Sequence, residues 1–211
     1  EKIVLVAIQQ APPHVTVAVI SRNGPPSLLT RLLANRTLHH IGGSALAFTF
    51  EEFSAFLTQS GYLVSREDAV NLHSLTQGWI SGVILFLLHR TKESKLSAVP
   101  LQRTPEHIFS YFATEIVGKI DPEIQVFLLK TAFLPHMTSD DARELTGQDA
   151  DHVVETLFEK NCFIEKRFLP VPSYQYHPLF RAFLLNRAEE LLDTGSLMAI
   201  RCQAAAIMEK S

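Results

Sequence analysis

Two residues of this chain, Arg22 and His177, have types and settings that could meet a charged ligand, and the turn at Gly78-Trp79 stands out beside them. Arg22 ends the apolar run Val17-Ala18-Val19-Ile20-Ser21-Arg22, and a guanidinium at the carboxyl end of a strand can register a terminal phosphate. His177 precedes Pro178 at a helix start, where an imidazole is well placed to meet an anion. Gly78-Trp79 lies between two apolar helices, with Gly78 for a tight turn and Gly82 for close helix packing. Blander readings stand beside each: a solvated turn arginine, a satisfied core histidine, and a helix–turn–helix junction around a buried tryptophan. Other chemistry is poorly represented. There is no G-x-x-x-x-G-K-[ST] phosphate loop and no apolar strand ending in paired acids to hold magnesium. No G-x-S-x-G elbow or H-E-x-x-H occurs, and the adjacent pair His39-His40 has poor ligand geometry. Asp140-Asp141 sits where acids normally open a helix.

The bulk composition sets the frame for these residues. In 211 residues, 46% are hydrophobic and 19% charged, which is enough apolar material for a real core and argues against disorder. A formal net charge of −3 is far from the basic balance of a chain whose whole surface grips nucleic acid. Cys162 and Cys202 form no CxxC or Cys/His zinc spacing, and both are expected to be small core residues in a reducing cytosol. The longest apolar run, Ile80 to Leu88, falls well short of the roughly 20 residues that span a bilayer. The chain begins at Glu1 without a methionine, as a piece of a longer protein would.

The elements that must position the four residues follow from pattern. Lys2 to Gln10 is apolar and β-branched, and fits helix or strand. Val15 to Ile20 reads as a strand buried on both faces, Leu28 to Ala34 as a short helix, and Leu46-Ala47-Phe48 as a second buried strand. This is β-α-β material with too few strands to close a sheet. Thr49 with Glu52, and Ser65 with Asp68, predict capped helices on either side of residue 60. Gly78 ends the second, and Trp79 to His89 is a helix apolar enough to be buried nearly all round. Thr91 to Arg103 reads as a linker. Thr104-Pro105-Glu106 opens a helix to about Lys119, and Asp121-Pro122-Glu123 opens the next. Helices over Ser139–Leu145 and about Asp149–Lys160, two strand-like stretches over Phe163–Phe168 and Tyr174–His177, and a long helix from Pro178 spell a winged-helix unit. A last helix covers Gly195 to Glu209.

Three stretches in this order and spacing resemble the nucleotide-binding core of STAND-class ATPases, in particular the MalT-like (maltose-activator) type of large LuxR-family regulators. They are the run into Arg22; Leu75-Thr76-Gln77-Gly78-Trp79-Ile80-Ser81-Gly82-Val83, which is similar to T-x-G-W-x-x-G-L; and Tyr176-His177-Pro178-Leu179-Phe180-Arg181-Ala182-Phe183-Leu184, which is similar to Y-H-P-L-F-x-x-F-L. Related ATPases carry proline where this chain has Ile80. Leu46-Ala47-Phe48-Thr49-x-x-Glu52 and Phe127 to Ala132 also resemble these regulators, so the likeness covers nearly the whole chain.

The resemblance implies a mainly α chain with a small α/β remnant. Residues 1–50 would be the end of a P-loop-NTPase-type sheet domain, 51–103 a helical lid, 104–193 the winged helix, and 194–211 the start of a helical-repeat domain. It implies that Arg22 senses phosphate, that Gly78 and Trp79 cover adenine, and that His177 bonds the ADP β-phosphate. The whole protein would be a cytoplasmic, slow ATPase switch using ATP or ADP with Mg, answering a small-molecule inducer. It would self-oligomerise when active and contact promoter DNA through a C-terminal helix-turn-helix outside this chain. Without a phosphate loop this stretch would neither hydrolyse ATP nor bind it tightly by itself. Two other functions compete: an interaction scaffold without nucleotide control, and direct DNA binding by the winged helix. The second is disfavoured because Asp149, Asp151, Glu155 and Glu159 line the would-be recognition helix.

Overall fold

In a computed structural model of the chain, residues 2–21, 24–62, 64–87, 106–159, 162–168 and 171–210 are described. The first segment is helix α1 (Lys2–Gln10), which resolves the helix-or-strand ambiguity in favour of helix. A 3-10 turn at Ser27–Leu29 leads into α2 (Thr30–Ala34).

Neither strand expected in the first fifty residues forms. Residues 14–20 have no regular structure and are exposed; Val19 is 54% exposed and Ile20 fully so. Gly43–Leu46 is a 3-10 turn, followed by extended but unpaired backbone at Ala47. The physical reason is pairing. A strand of a parallel sheet needs neighbours for its N–H and C=O groups, and among the described residues the only sheet is a distant hairpin.

The helical part starts with α3 (Phe50–Gln59), opened by the expected box: Glu52 N donates to Thr49 Oγ1 while Thr49 N donates to Glu52 Oε2 at 2.9 Å. Helix α4 (Arg66–Thr76) is capped by Ser65, whose hydroxyl accepts from Asp68 N. Helix α5 (Ile80–Leu87) buries Gly82, Val83, Phe86 and Leu87 but leaves Ile84 and Ser81 exposed, so it is one-sided and not buried all round. The expected linker and the Thr104-Pro105 cap lie outside the described residues. Helix α6 (Glu106–Tyr111) continues through a π turn at Phe112–Ile116 and a 3-10 turn at Val117–Lys119.

The winged helix is assembled as the sequence predicts. Helix α7 (Pro122–Thr131) has its proline in the first turn, where no N–H is missed. Helix α8 (Ser139–Thr146) carries a Thr138–Asp141 box and ends at left-handed Gly147. Then come α9 (Ala150–Glu159), the antiparallel hairpin β1 (Ile164–Phe168) and β2 (Pro172–Tyr176), and α10 (Pro178–Leu191). One pairing was not legible: Met137 bridges Tyr174 through backbone bonds of 2.9 and 2.7 Å, adding a third short extended piece to the hairpin. Helix α11 (Thr194–Met208) follows, and no helix among the described residues is long and apolar enough to cross a membrane.

One core joins these parts. Phe53, Leu72, Val83 and Phe86 of the helical part are continuous with Phe112, Phe127, Phe180 and Leu184 of the winged helix. Each such fully buried side chain contributes roughly 1.5–3 kcal/mol from removal of apolar surface from water. Cys162 is in this core, whereas Cys202 is exposed on α11, because that helix buries only the Ile200, Ala204 and Ile207 stripe.

Candidate functional site

The seam between α4 and α10 brings three of the four candidate residues together. His177 is the N-cap of α10 and is 9% exposed. Its Nδ1 accepts from Leu179 N–H at 3.3 Å, and Nε2 lies 2.9 Å from the Thr76 carbonyl at the end of α4. A ring whose Nδ1 accepts must carry its proton on Nε2, so the imidazole is neutral and donates from Nε2 to Thr76. Burial pushes the His177 pKa below the ordinary histidine value; the Thr76 bond and the Glu165 carboxylate oppose that shift. The backbone is tied as well, since His177 N donates to Phe163 O at 2.8 Å.

The Thr76 carbonyl is a shared acceptor. It also takes the Trp79 N–H at 2.8 Å, while the buried Thr76 hydroxyl donates back to Leu72 O. Trp79 then fills the seam. Its ring is 4.9 Å from Phe163, 5.8 Å from Phe112, 5.7 Å from Tyr111 and 6.0 Å from His177, mostly tilted or edge-on. Such pairs each contribute about 0.5–1.5 kcal/mol beyond burial. Gly82 leaves the room for this indole: a Cβ there would stand 2.8 Å from Trp79 Cζ3.

Gly78 has φ +75°, and a Cβ on it would run into the Phe48 backbone, 2.7 Å from its nitrogen. The two backbones are also bonded, Phe48 N donating to Gly78 O at 2.9 Å. His73 Nε2, 2.8 Å from Phe48 O, holds the same residue from α4. In this arrangement Gly78 faces protein backbone, and both ring nitrogens of His177 are engaged by protein atoms. An anion meets His177 only by taking the Nε2 donor from Thr76. Arg22 lies outside the described residues. No group of histidines, cysteines and acids that could hold a metal occurs among the described residues.

Thr76 stands in the sequence only as the threonine of T-x-G-W, with no role assigned, and Phe163 only as the start of a strand-like stretch. Thr76 acts through its carbonyl, which every residue has, so its side chain gives no signal. Phe163 acts through its backbone carbonyl, a positive φ that its type disfavours, and its ring against Trp79, and no sequence pattern pairs it with position 79 or 177.

The wing offers little to nucleic acid. Lys166 Nζ is 2.7 Å from Glu155 on α9, with Tyr174 OH donating to the same carboxylate oxygen at 3.1 Å. Arg167 pairs with Glu165 at 3.7 Å, and Arg143 reaches Asp151 at 2.6 Å. Among the described residues, Lys166, Arg167 and Arg143 are therefore matched to carboxylates on or beside the would-be recognition helix.

The chain is similar in sequence to known proteins. Residues 113–194 match the family model of the MalT winged helix domain. Over 193 residues the chain is 25% identical to the HTH-type transcriptional regulator MalT of Cronobacter sakazakii, covering 89% of this chain and 21% of that protein. The MalT regulator of Vibrio cholerae serotype O1 is 27% identical over 209 residues, covering 96% of this chain and 23% of its own. That of Yersinia pestis is 23% identical over 188 residues. The chain thus spans about a fifth of the length of the curated relatives it matches.

Proposed function

We propose that this MalT-like chain, whose MalT winged helix covers residues 113–194, is the regulatory core of a transcription regulator, with the α4–α10 seam as its resting contact. The observation that carries the reading is His177, which caps the last winged-helix helix and grips the carboxyl end of α4 across a separation of 101 residues. The polar tie in this seam rests on one imidazole donor, which a competing acceptor can take, while the rings of Trp79, Phe112 and Phe163 supply its apolar part. In the nucleotide-controlled form of the proposal, an adenine nucleotide held by the whole protein competes with Thr76 for Nε2. Arg22 would read the same phosphates, and opening would permit self-assembly and promoter contact elsewhere in the protein. The relatives' printed description as HTH-type transcriptional regulators supports the regulatory class.

One observation favours a second reading, a fixed interaction scaffold without nucleotide control: both nitrogens of His177 are already satisfied within the chain. Titration of the full-length protein with ADP separates the two. On the switch reading, His177→Ala weakens ADP binding about tenfold or more, the loss of one charge-assisted hydrogen bond, and raises inducer-free promoter activity. On the scaffold reading, ADP affinity ignores both His177→Ala and Arg22→Ala.

A further inference from the structure

Backbone irregularity gathers at the seam. Gln77, next to Thr76, has φ +47° and ψ +36°, and Phe163, which accepts from His177 N, has φ +55°. Residues with side chains enter this left-handed region at a cost, because Cβ crowds the following carbonyl oxygen. Three described residues other than glycine have positive φ, and two of them flank the His177–Thr76 bond; the third, Arg36, follows α2. The π turn at Phe112–Ile116 supplies a further irregularity, and Phe112 stacks on Trp79. Such turns are rare and gather at functional places.

The side-chain oxygen of Gln77 does not account for its backbone. Its Oε1 is buried with no hydrogen-bond partner among the described residues, so no bond from this oxygen compensates the strain. Gln77 is the C-cap of α4, a place where left-handed backbone is common, and the residues on either side of it are held. Trp79 N–H and His177 Nε2–H both hold Thr76 O on one side, and Phe48 N–H holds Gly78 O on the other.

We propose that the seam is a strained latch whose closed-to-open ratio is set by how well residue 77 tolerates left-handed backbone. Gln77 and Phe163 stay left-handed while His177 grips Thr76 and the rings of Trp79, Phe112 and Phe163 are in contact, and they relax when the winged helix lifts away. The biological consequence rests on the regulatory reading above; the latch itself rests on the backbone angles and contacts.

The test is a substitution series at position 77 in the full-length protein: Gln77→Gly, Gln77→Asn, wild type and Gln77→Val. Opening is read by hydrogen-exchange mass spectrometry on the peptides holding the amides of Trp79, His177 and Leu179. Glycine is at ease in the left-handed region, asparagine tolerates it, and β-branched valine does not. Protection should therefore fall in the order Gly, Asn, Gln, Val, with Gly exchanging about fivefold more slowly than wild type. Inducer-free promoter activity should rise in that same order. Gly and Val shifting exchange in the same direction, or no variant shifting it, overturns the latch, because the side chain or nothing at all is then responsible. Should Gln77→Val fail to fold, Gly and Asn against wild type still decide the order. His177→Ala is run alongside. If it changes promoter activity while the series leaves exchange unmoved, the latch falls and the regulatory reading stands. If the series orders exchange but activity does not follow, the latch stands and the regulatory reading falls.

Discussion

The imidazole of His177 can accept from Leu179 and donate to Thr76 only while it carries one proton. Protonation removes the acceptor at Nδ1 and places a charge in a site that burial already makes hostile to it. The sign of the pH effect follows. Because the folded pKa lies below the unfolded value of about 6.5, the unfolded chain binds more protons in the window between them. Stability is full above that window and is lost as pH falls through it. The denaturation midpoint of wild type should drop more steeply below about pH 6.5 than that of His177→Asn, which keeps a capping side chain but cannot titrate. The chain has nine histidines, so it is the difference in slope that counts; equal slopes would place the acid sensitivity elsewhere. Gly78 makes a second residue-scale case. Gly78 and Gly147 have nearly the same φ, +75° and +74°, but a Cβ meets Phe48 at the first and open space at the second. Gly147→Ala should cost only the left-handed strain, about 1 kcal/mol. Gly78→Ala should cost clearly more, about 2–4 kcal/mol, measured by urea denaturation. Equal costs would mean that Phe48 moves aside freely.

At the scale of elements, local chemistry decided what was legible. Thr49, Ser65, Asp121-Pro122 and Gly147 each announce a helix end through their own side chain or lack of one, and each end lies within a residue or two of its expected place. The hairpin was equally readable, since Tyr174 and Tyr176 alternate inward on β2. The run Val15 to Ile20 misled for a physical reason. β-branched residues signal a fit to a pleated, covered surface, but strand formation depends on partners that local sequence does not specify. The site was readable by half. Gly78, Trp79 and His177 stood out through the motifs that resemble STAND-class regulators, and the seam gathers them. Their partners Thr76 and Phe48 contribute carbonyls and amides, which are anonymous in any sequence, and nothing local tells that the Phe163 ring meets Trp79. The π turn that presents Phe112 to Trp79 left no pattern either, because one extra residue in a helix shifts the period too little to detect.

At the scale of the whole molecule, the continuous core from Phe53 to Ile207 means that the winged helix and the helical part are stabilised together. The small ring of contacts at the seam sets how they meet. Trp79 reports on that meeting without any label, because it is the single tryptophan of the chain and stands against Phe112, Phe163 and His177. The most direct measurement is therefore the emission maximum of Trp79 and its quenching by acrylamide, in wild type and in His177→Ala, at a denaturant concentration where both are folded. If His177 holds the seam closed, the variant emits further to the red and is quenched more readily while its far-ultraviolet circular dichroism stays unchanged. Identical emission and quenching in the two proteins would contradict the claim that this histidine closes the winged helix onto the helical part.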